Sequence, residues 1–176
     1  LTNRTFAVRV NSSFSSNRKI TSGVPQGSAL SPVLFNIFTC ELPNTLADSS
    51  VKCKVFADDT KVYKSFKLGE SSKELQSCLD RMYKWSVDWG LPLSVEKSQV
   101  MHLGYNNPKQ NYTLNGAVLK QVTEKVRDLR FLLNSSLSFQ DHVRHIVQLA
   151  KYRTYNLFKV LKTNKESIWI KAYKTY

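Results

Sequence analysis

The chain has 176 residues, 41% of them apolar, enough to bury one sizeable core. Its net charge is +13, unevenly spread: residues 1–90 carry twelve Lys/Arg against eight Asp/Glu (+4), and residues 91–176 carry fourteen against five (+9). That surplus suits a polyanionic partner bound in a salt-dependent way, or a solubilising surface. The longest apolar runs are far below the roughly 20 residues of a membrane helix, so no membrane partner is expected.

The first residues, Leu1-Thr2-Asn3-Arg4, contain no Met and no apolar targeting segment, and read as the middle of something longer. Cys40, Cys53 and Cys78 are an odd number at no metal-ligand spacing. They suit buried thiols in a reducing, intracellular compartment and argue against a disulfide framework.

Residues 4–10 alternate loosely and predict a strand; Asn11 to Asn17 predict a turn or loop. Next comes Thr21-Ser22-Gly23-Val24-Pro25-Gln26-Gly27-Ser28. Two glycines around a proline give a shaped loop with exposed N–H groups, and Gln26 adds a donor and an acceptor. Such a loop can admit a ligand or be purely structural. Ser31 predicts an N-cap and Pro32 a first helical position. Leu34, Phe35, Ile37, Phe38 and Leu42 continue an apolar helical face up to Pro43. The loop therefore precedes a helix N-terminus, where phosphate is favoured. Asn44 to Ser50 predict a polar connection.

Val51 to Val55 predict a strand with Cys53 and Val55 on one face and Lys52 and Lys54 on the other. Then comes Val55-Phe56-Ala57-Asp58-Asp59-Thr60, read as strand, tight turn, strand. Adjacent carboxylates on a rigid tip suit Mg²⁺, a hard cation that takes few oxygen ligands from protein; a polar hairpin turn is the alternative. Residues 71–89 predict a helix with Ser71 and Glu74 at capping-box spacing and Leu75, Cys78, Leu79, Met82, Trp85 and Trp89 on a core face. Gly90 and Pro92 end it.

A strand is expected at Val100 to Leu103, followed by a loop at Gly104-Tyr105-Asn106-Asn107-Pro108. Asn115-Gly116 between Tyr112-Thr113-Leu114 and Ala117-Val118-Leu119 predicts a hairpin. Val122 to Leu133 predict one or two further strands. Ser138 and Asp141 suggest another capped start, for a helix through Val143, Ile146, Val147, Ala150, Leu157 and Leu161. Its exposed face carries Arg144, Lys151, Arg153, Lys159 and Lys162, placed either to meet a duplex backbone or to be solvated. A last piece holds Ile168, Trp169, Ala172, Tyr173 and Tyr176.

Taken in order, these motifs resemble a reverse transcriptase of the non-LTR retrotransposon type, jockey-like elements in particular, over nearly the whole chain. Gly23 to Ser28 with Ser31-Pro32 and Leu34-Phe35-Asn36 resemble that family's motif B. Phe56-Ala57-Asp58-Asp59 resembles motif C, and Leu93-Ser94-Val95-Glu96-Lys97-Ser98 resembles motif D. Tyr112 to Leu119 and Val126 to Leu133 resemble the primer grip. Leu137-Ser138-Phe139, His142 and Ile146 resemble the start of the thumb.

The resemblance implies an α+β fold. Residues 1–135 would form a partial polymerase palm, an antiparallel sheet with packed helices, including a primer-grip-like region. Residues 136–176 would form a basic, helical, thumb-like segment. It implies RNA-directed DNA synthesis by two-metal-ion chemistry, with an RNA template, a DNA primer and deoxynucleoside triphosphates as partners. Asp58 and Asp59 would hold Mg²⁺ or Mn²⁺. Gly23, Gln26 and Gly27 would position template and nucleotide, and Phe56 would lie beside the primer end. Lys97 would protonate departing pyrophosphate, unless it is a plain surface lysine. Arg144, Lys151, Arg153, Lys159 and Lys162 would contact nucleic acid.

The family's first catalytic carboxylate lies in motif A, and this chain is expected to begin after both it and the fingers. Weak or no metal binding and no polymerase activity are then expected of the isolated chain. The alternative is a non-catalytic nucleic-acid-binding remnant of a retroelement. The nucleus is one intracellular location open to such a protein. Where the family usually has Leu-Gly after the primer-grip aspartate, this chain has Leu129-Arg130 after Asp128, an exchange expected to distort the turn if it needs positive φ.

Overall fold

A computed structural model describes residues 3–48, 50–67, 69–105 and 107–175. The expectations for Asn106 in its loop and for Tyr176 at the end lie outside the described residues. So does the part of the opening stretch on Leu1 and Thr2, and Ser49 in the expected connection. The chain divides into two compact units, one of residues 1–65 and 73–91 and the other of residues 66–72 and 92–176. The architecture is mixed α/β, with mostly antiparallel strand pairs and packed helices.

The first unit opens with a two-stranded ribbon. Strand β1 (Arg4–Phe6) pairs antiparallel with β4 (Arg18–Ile20), and β2 (Arg9–Val10) with β3 (Ser13–Phe14). Part of the stretch expected as loop is therefore strand. Asn11, at φ 55°, supplies the tight turn that brings Ser13 opposite Val10. Every residue from Thr5 to Lys19 is exposed.

Helix α1 (Ser31–Thr39) and the short α2 (Leu42–Leu46) follow. Two capping expectations are corrected. The N-cap of α1 is Leu30, because the Ser31 hydroxyl is buried and donates instead to the Pro25 carbonyl. Pro43 does not stop a helix but sits in the first turn of α2, where the N–H it lacks would have had no helical partner. The expected apolar face is covered in part: Leu42 is buried, Leu34 and Phe35 are half-buried, and Ile37 and Phe38 are exposed, as is Val33 beside them. Phe38 meets Trp89 edge-on at 5.1 Å, and Trp89 stacks on Trp85 at 5.9 Å.

Strands β5 (Val51–Phe56) and β6 (Asp59–Lys64) form an antiparallel hairpin in the register Val51↔Lys64 to Phe56↔Asp59. The predicted alternation holds. Val51, Cys53, Val55, Thr60 and Val62 turn inward, while Lys52, Lys54, Phe56, Asp59, Lys61 and Tyr63 face outward. Among the described residues β5 and β6 pair only with each other. Outward lysines suit such open edges, because they discourage pairing with another chain.

Helix α3 (Lys73–Asp88) buries Cys78, Leu79, Met82, Trp85 and Ser86, and these join Leu42, Leu46 and Val51 in the core of this unit. Leu46 is wholly buried, and removing its side chain would cost about 2–5 kcal/mol. The Lys64 ammonium is sequestered and meets the Glu74 carboxylate at 2.9 Å, which ties the hairpin to the first turn of α3. Gly90, at φ 64°, ends the helix as predicted. Its N–H reaches the Val87 carbonyl at 3.1 Å and the Leu91 N–H reaches Ser86 at 2.8 Å.

In the second unit β7 (Gln99–Met101) runs parallel to β10 (Lys120–Val122). Between them β8 (Thr113–Leu114) and β9 (Ala117–Val118) form the predicted hairpin, with Asn115 and Gly116 at φ 53° and 74°. Tyr112, Leu114 and Leu119 are its buried residues. Strands β11 (Lys125–Asp128) and β12 (Phe131–Asn134) make another hairpin through Leu129 and Arg130. The expected single sheet is thus present as two-stranded pieces among the described residues.

Helix α4 (Gln140–Val160) begins from Phe139 as N-cap rather than Ser138, whose hydroxyl accepts the Gln140 N–H at 3.4 Å one step earlier. It is pinned to β12, where the Leu132 N–H donates to His142 Nδ1 at 3.4 Å and the Phe131 and His142 rings lie 4.9 Å apart. Helix α5 (Glu166–Thr175) returns Trp169 to Phe158 at 4.8 Å and to the Thr163 carbonyl at 2.8 Å. Neither helix has a buried residue, so the apolar face of α4 is as open as its basic one. No described helix is long and apolar enough to cross a membrane.

Candidate functional site

The β5–β6 hairpin closes through only two residues, Ala57 and Asp58, because Phe56 pairs with Asp59. So tight a connection needs positive φ at its start, and Ala57 supplies it at 51°. An L-residue there carries roughly 1–2 kcal/mol of strain. Asp58 in the loop and Asp59 at the head of β6 are both exposed. No described side chain bonds or ion-pairs either carboxylate. Phe56, 65% exposed, lies directly across from Asp59 on the outward face, above the like-charged cross-strand pair Lys54 and Lys61. The tip therefore offers hard oxygen donors with no counter-ion among the described residues, above a cationic strand face.

The glycine loop is also built locally. Pro25 to Ser28 form a turn in which the Ser28 N–H reaches the Pro25 carbonyl at 3.4 Å, with Gly27 at φ 81° in its third position. The Ser31 hydroxyl binds the same carbonyl and fixes the turn to the first residue of α1. Gln26 is left exposed at the turn's corner. Gly23 also has φ 81°, and a Cβ at either glycine would meet nothing within 4 Å. Backbone conformation, not space, therefore demands glycine. The Arg4 guanidinium donates to the Gly23 carbonyl at 2.7 Å. Sequence reasoning did not select Arg4, since its partner is nineteen residues away and no local pattern marks the bond. The positive φ at Ala57 does have a sequence signal, a two-residue connection between paired strands.

Asp58, Asp59, Phe56, Gly23, Gln26 and Gly27 all belong to the first unit, and Lys97 belongs to the second. Lys97 is exposed on a turn held by the Ser94 carbonyl, which accepts from the Ser98 N–H at 3.1 Å and its hydroxyl at 2.8 Å. Among the described residues no group of three or more His, Cys, Asp or Glu comes together as a metal site. The Asp pair itself has the donor chemistry that magnesium takes from protein, two hard carboxylates.

On α4, Arg144, Lys151 and Lys159 are exposed. At 100° per residue they fall within one arc of about 100°, whereas Arg153 lies roughly opposite Lys151. Lys162 lies just beyond the helix, past the C-cap Leu161. A shallow groove lined by Val147, Ala150, Lys151, Thr154, Tyr155 and Phe158 borders the basic arc.

In the first unit the thiols of Cys53 and Cys78 titrate higher than usual. Burial is the main cause for both. At Cys53 the neighbouring Cys78 adds to the shift and Lys54 opposes it; at Cys78, Arg81 opposes and Asp48 adds. These are structural cysteines on the inner side of the hairpin, remote in chemistry from its tip.

The family model described as reverse transcriptase (RNA-dependent DNA polymerase) matches residues 1–132. The RNA-directed DNA polymerase from mobile element jockey of Drosophila funebris is 34% identical over 149 residues, 80% of this chain and 16% of the relative. The jockey protein of Drosophila melanogaster is 28% identical over 98% of this chain and 20% of its own length. The probable RNA-directed DNA polymerase from transposon BS of Drosophila melanogaster is 29% identical over the same shares. The chain thus spans a fifth or less of these relatives. With the family model matching most of its length, the chain belongs to the reverse transcriptase family, and its relatives include polymerases of jockey-type mobile elements.

Proposed function

We propose that this chain is a portion of an RNA-directed DNA polymerase, with palm and primer grip in residues 1–135 and the start of the thumb in residues 136–176. The observation that carries the reading is the hairpin tip, where two adjacent exposed carboxylates have no described side-chain partner and follow a strained residue. Side-by-side carboxylates repel each other, and a divalent cation relieves that repulsion. Asp58 and Asp59 would hold Mg²⁺ or Mn²⁺. When bound, the metal would supply activation of the primer 3′-hydroxyl and neutralisation of the triphosphate.

The chain's other residues orient the partners. The Gln26 amide, offered from a turn corner, donates and accepts where template base and incoming nucleotide meet. Phe56 packs beside the primer end. Lys97 gives its proton to the leaving pyrophosphate. The basic arc of α4 holds the duplex backbone.

Two carboxylates make an incomplete two-ion site, so the 176-residue chain alone is expected not to extend a primer. A primer-extension assay on an RNA template tests this, comparing the chain with a polypeptide that also carries the upstream portion of a jockey-type polymerase. The longer polypeptide extends the primer. Its Asp58→Asn and Asp59→Asn variants lose more than the roughly 100-fold that even an outer-shell change costs a metal site. Full activity in either variant would sink the assignment. The charge of +13 favours one other reading, a non-catalytic nucleic-acid-binding remnant. It predicts duplex binding without extension in both polypeptides.

A further inference from the structure

We infer that the N-terminal ribbon, residues 4–20, is a binding platform for single-stranded RNA, separate from the Asp58–Asp59 tip and from α4. The inference rests on the polymerase reading, which makes RNA the polyanion at hand. An isolated two-stranded ribbon is marginal in water and is normally covered on one face. Here Thr5 through Lys19 are exposed throughout, including Phe6 at 50% and Phe14 at 68%.

The ribbon's charge selects the partner. Residues 3–40 contain Arg4, Arg9, Arg18 and Lys19 and no acidic residue. Its pairing sets each exposed aromatic against a cation. Phe6 lies opposite Arg18, and Phe14 opposite Arg9, whose guanidinium sits 5.4 Å from the ring centroid. These Phe–Arg rungs are three residues apart on one strand and four on the other, about 10 Å along the ribbon. Aromatic faces interleaved with guanidinium groups on a cationic track form the recognition surface of single-strand binders. There, bases stack without sequence preference and phosphates meet the cations. The open face of α1 differs: Val33, Ile37 and Phe38 carry no charge, as suits a protein neighbour. A duplex hides its base faces, so the ribbon favours unpaired template over the primer–template helix.

The test is fluorescence anisotropy with the 176-residue chain, using a labelled 12-nucleotide RNA of mixed, non-pairing sequence and an RNA–DNA duplex as the second probe. Phe6→Leu and Phe14→Leu should each weaken single-strand binding about tenfold and leave duplex binding unchanged. Phe14→Trp should retain it, which separates stacking from bulk apolarity. Arg9→Gln with Arg18→Gln should flatten the salt dependence of single-strand binding by about 1.4 in log–log slope. Because the ribbon is exposed on both faces, thermal unfolding of the variants should match the parent. If the parent binds RNA and the leucine variants bind it equally well, the platform is overturned and the polymerase reading stands. If the parent binds neither probe, the platform falls, and primer extension by the longer polypeptide decides the polymerase reading separately.

Discussion

Two hairpins in the second unit turn through nearly the same backbone with different chemistry. Asn115-Gly116 closes β8–β9 at φ 53° and 74°; Leu129-Arg130 closes β11–β12 at 44° and 73°. Asn and Gly adopt left-handed conformations cheaply, whereas Leu and Arg each carry roughly 1–2 kcal/mol of strain there. Both side chains are exposed, so no buried contact repays that cost. Replacing Leu129-Arg130 by Asn-Gly should therefore stabilise the chain. Glycine's extra freedom in the unfolded state takes back part of the gain, leaving about 1 kcal/mol net. For a chain of this size that is about 2–4 °C in Tm. The reverse exchange, Asn115→Leu with Gly116→Arg, should destabilise by a similar amount. Thermal unfolding followed by circular dichroism reads both. An unchanged or lower Tm after Leu129→Asn with Arg130→Gly would refute the strain argument and show that the arginine stabilises the turn.

The buried thiols give a pH prediction. Unfolded thiols ionise at their ordinary 9.0, while folded Cys53 and Cys78 resist ionisation. Their contribution to stability is full below pH 9 and is lost as pH rises through the folded values. The urea midpoint should fall between pH 8 and pH 10.5, and by less in a Cys53→Ser, Cys78→Ala variant. The helical arc of α4 gives another. Lys151→Gln and Lys159→Gln should each reduce the salt slope of duplex binding by about 0.9, while Arg153→Gln on the opposite side changes it little. Equal effects from all three would mean that α4 has no preferred face.

Much of this was readable from sequence because the signals are local. Alternating residues specified β5, apolar spacing specified α3, Gly90 its end, and Asn115-Gly116 a hairpin. What was misread depended on partners distant in sequence or chosen by competition. Ser31 is a good N-cap by type, but a carbonyl six residues back holds its hydroxyl. Pro43 is a helix breaker by type, but at the first turn it costs nothing. The apolar faces of α1 and α4 show periodicity correctly, yet periodicity cannot say whether a covering element is present. The β7–β10 pairing, parallel and between residues 21 apart, left no local trace. At the site, the Asp pair, the glycines and Gln26 were legible as residue types. The strain at Ala57 and the Arg4 bond to the glycine loop were not.

The strained turns of this chain differ in what strain relief should do. Among the described residues, four two-residue turns begin with a positive-φ residue: Asn11, Ala57, Asn115 and Leu129. In two of them that residue is Asn, which tolerates the conformation. The other two, at Ala57 and at Leu129-Arg130, fall on the segments that resemble motif C and the primer grip. The segment at Asp128-Leu129-Arg130 resembles one where the family usually carries Leu-Gly, and the φ of 73° at Arg130 is one that glycine adopts without steric cost. Glycine at position 130 should relieve strain without disturbing the turn. Ala57 lies in the segment that resembles motif C, where no such exchange is seen. A left-handed residue immediately before two adjacent carboxylates holds both at the hairpin tip, a placement that the repulsion between them opposes. Glycine at position 57 would lower the strain and free the tip to fluctuate. Strain relief should therefore be neutral or beneficial at position 130 and costly to metal binding at position 57, although the left-handed cost per residue is similar at both.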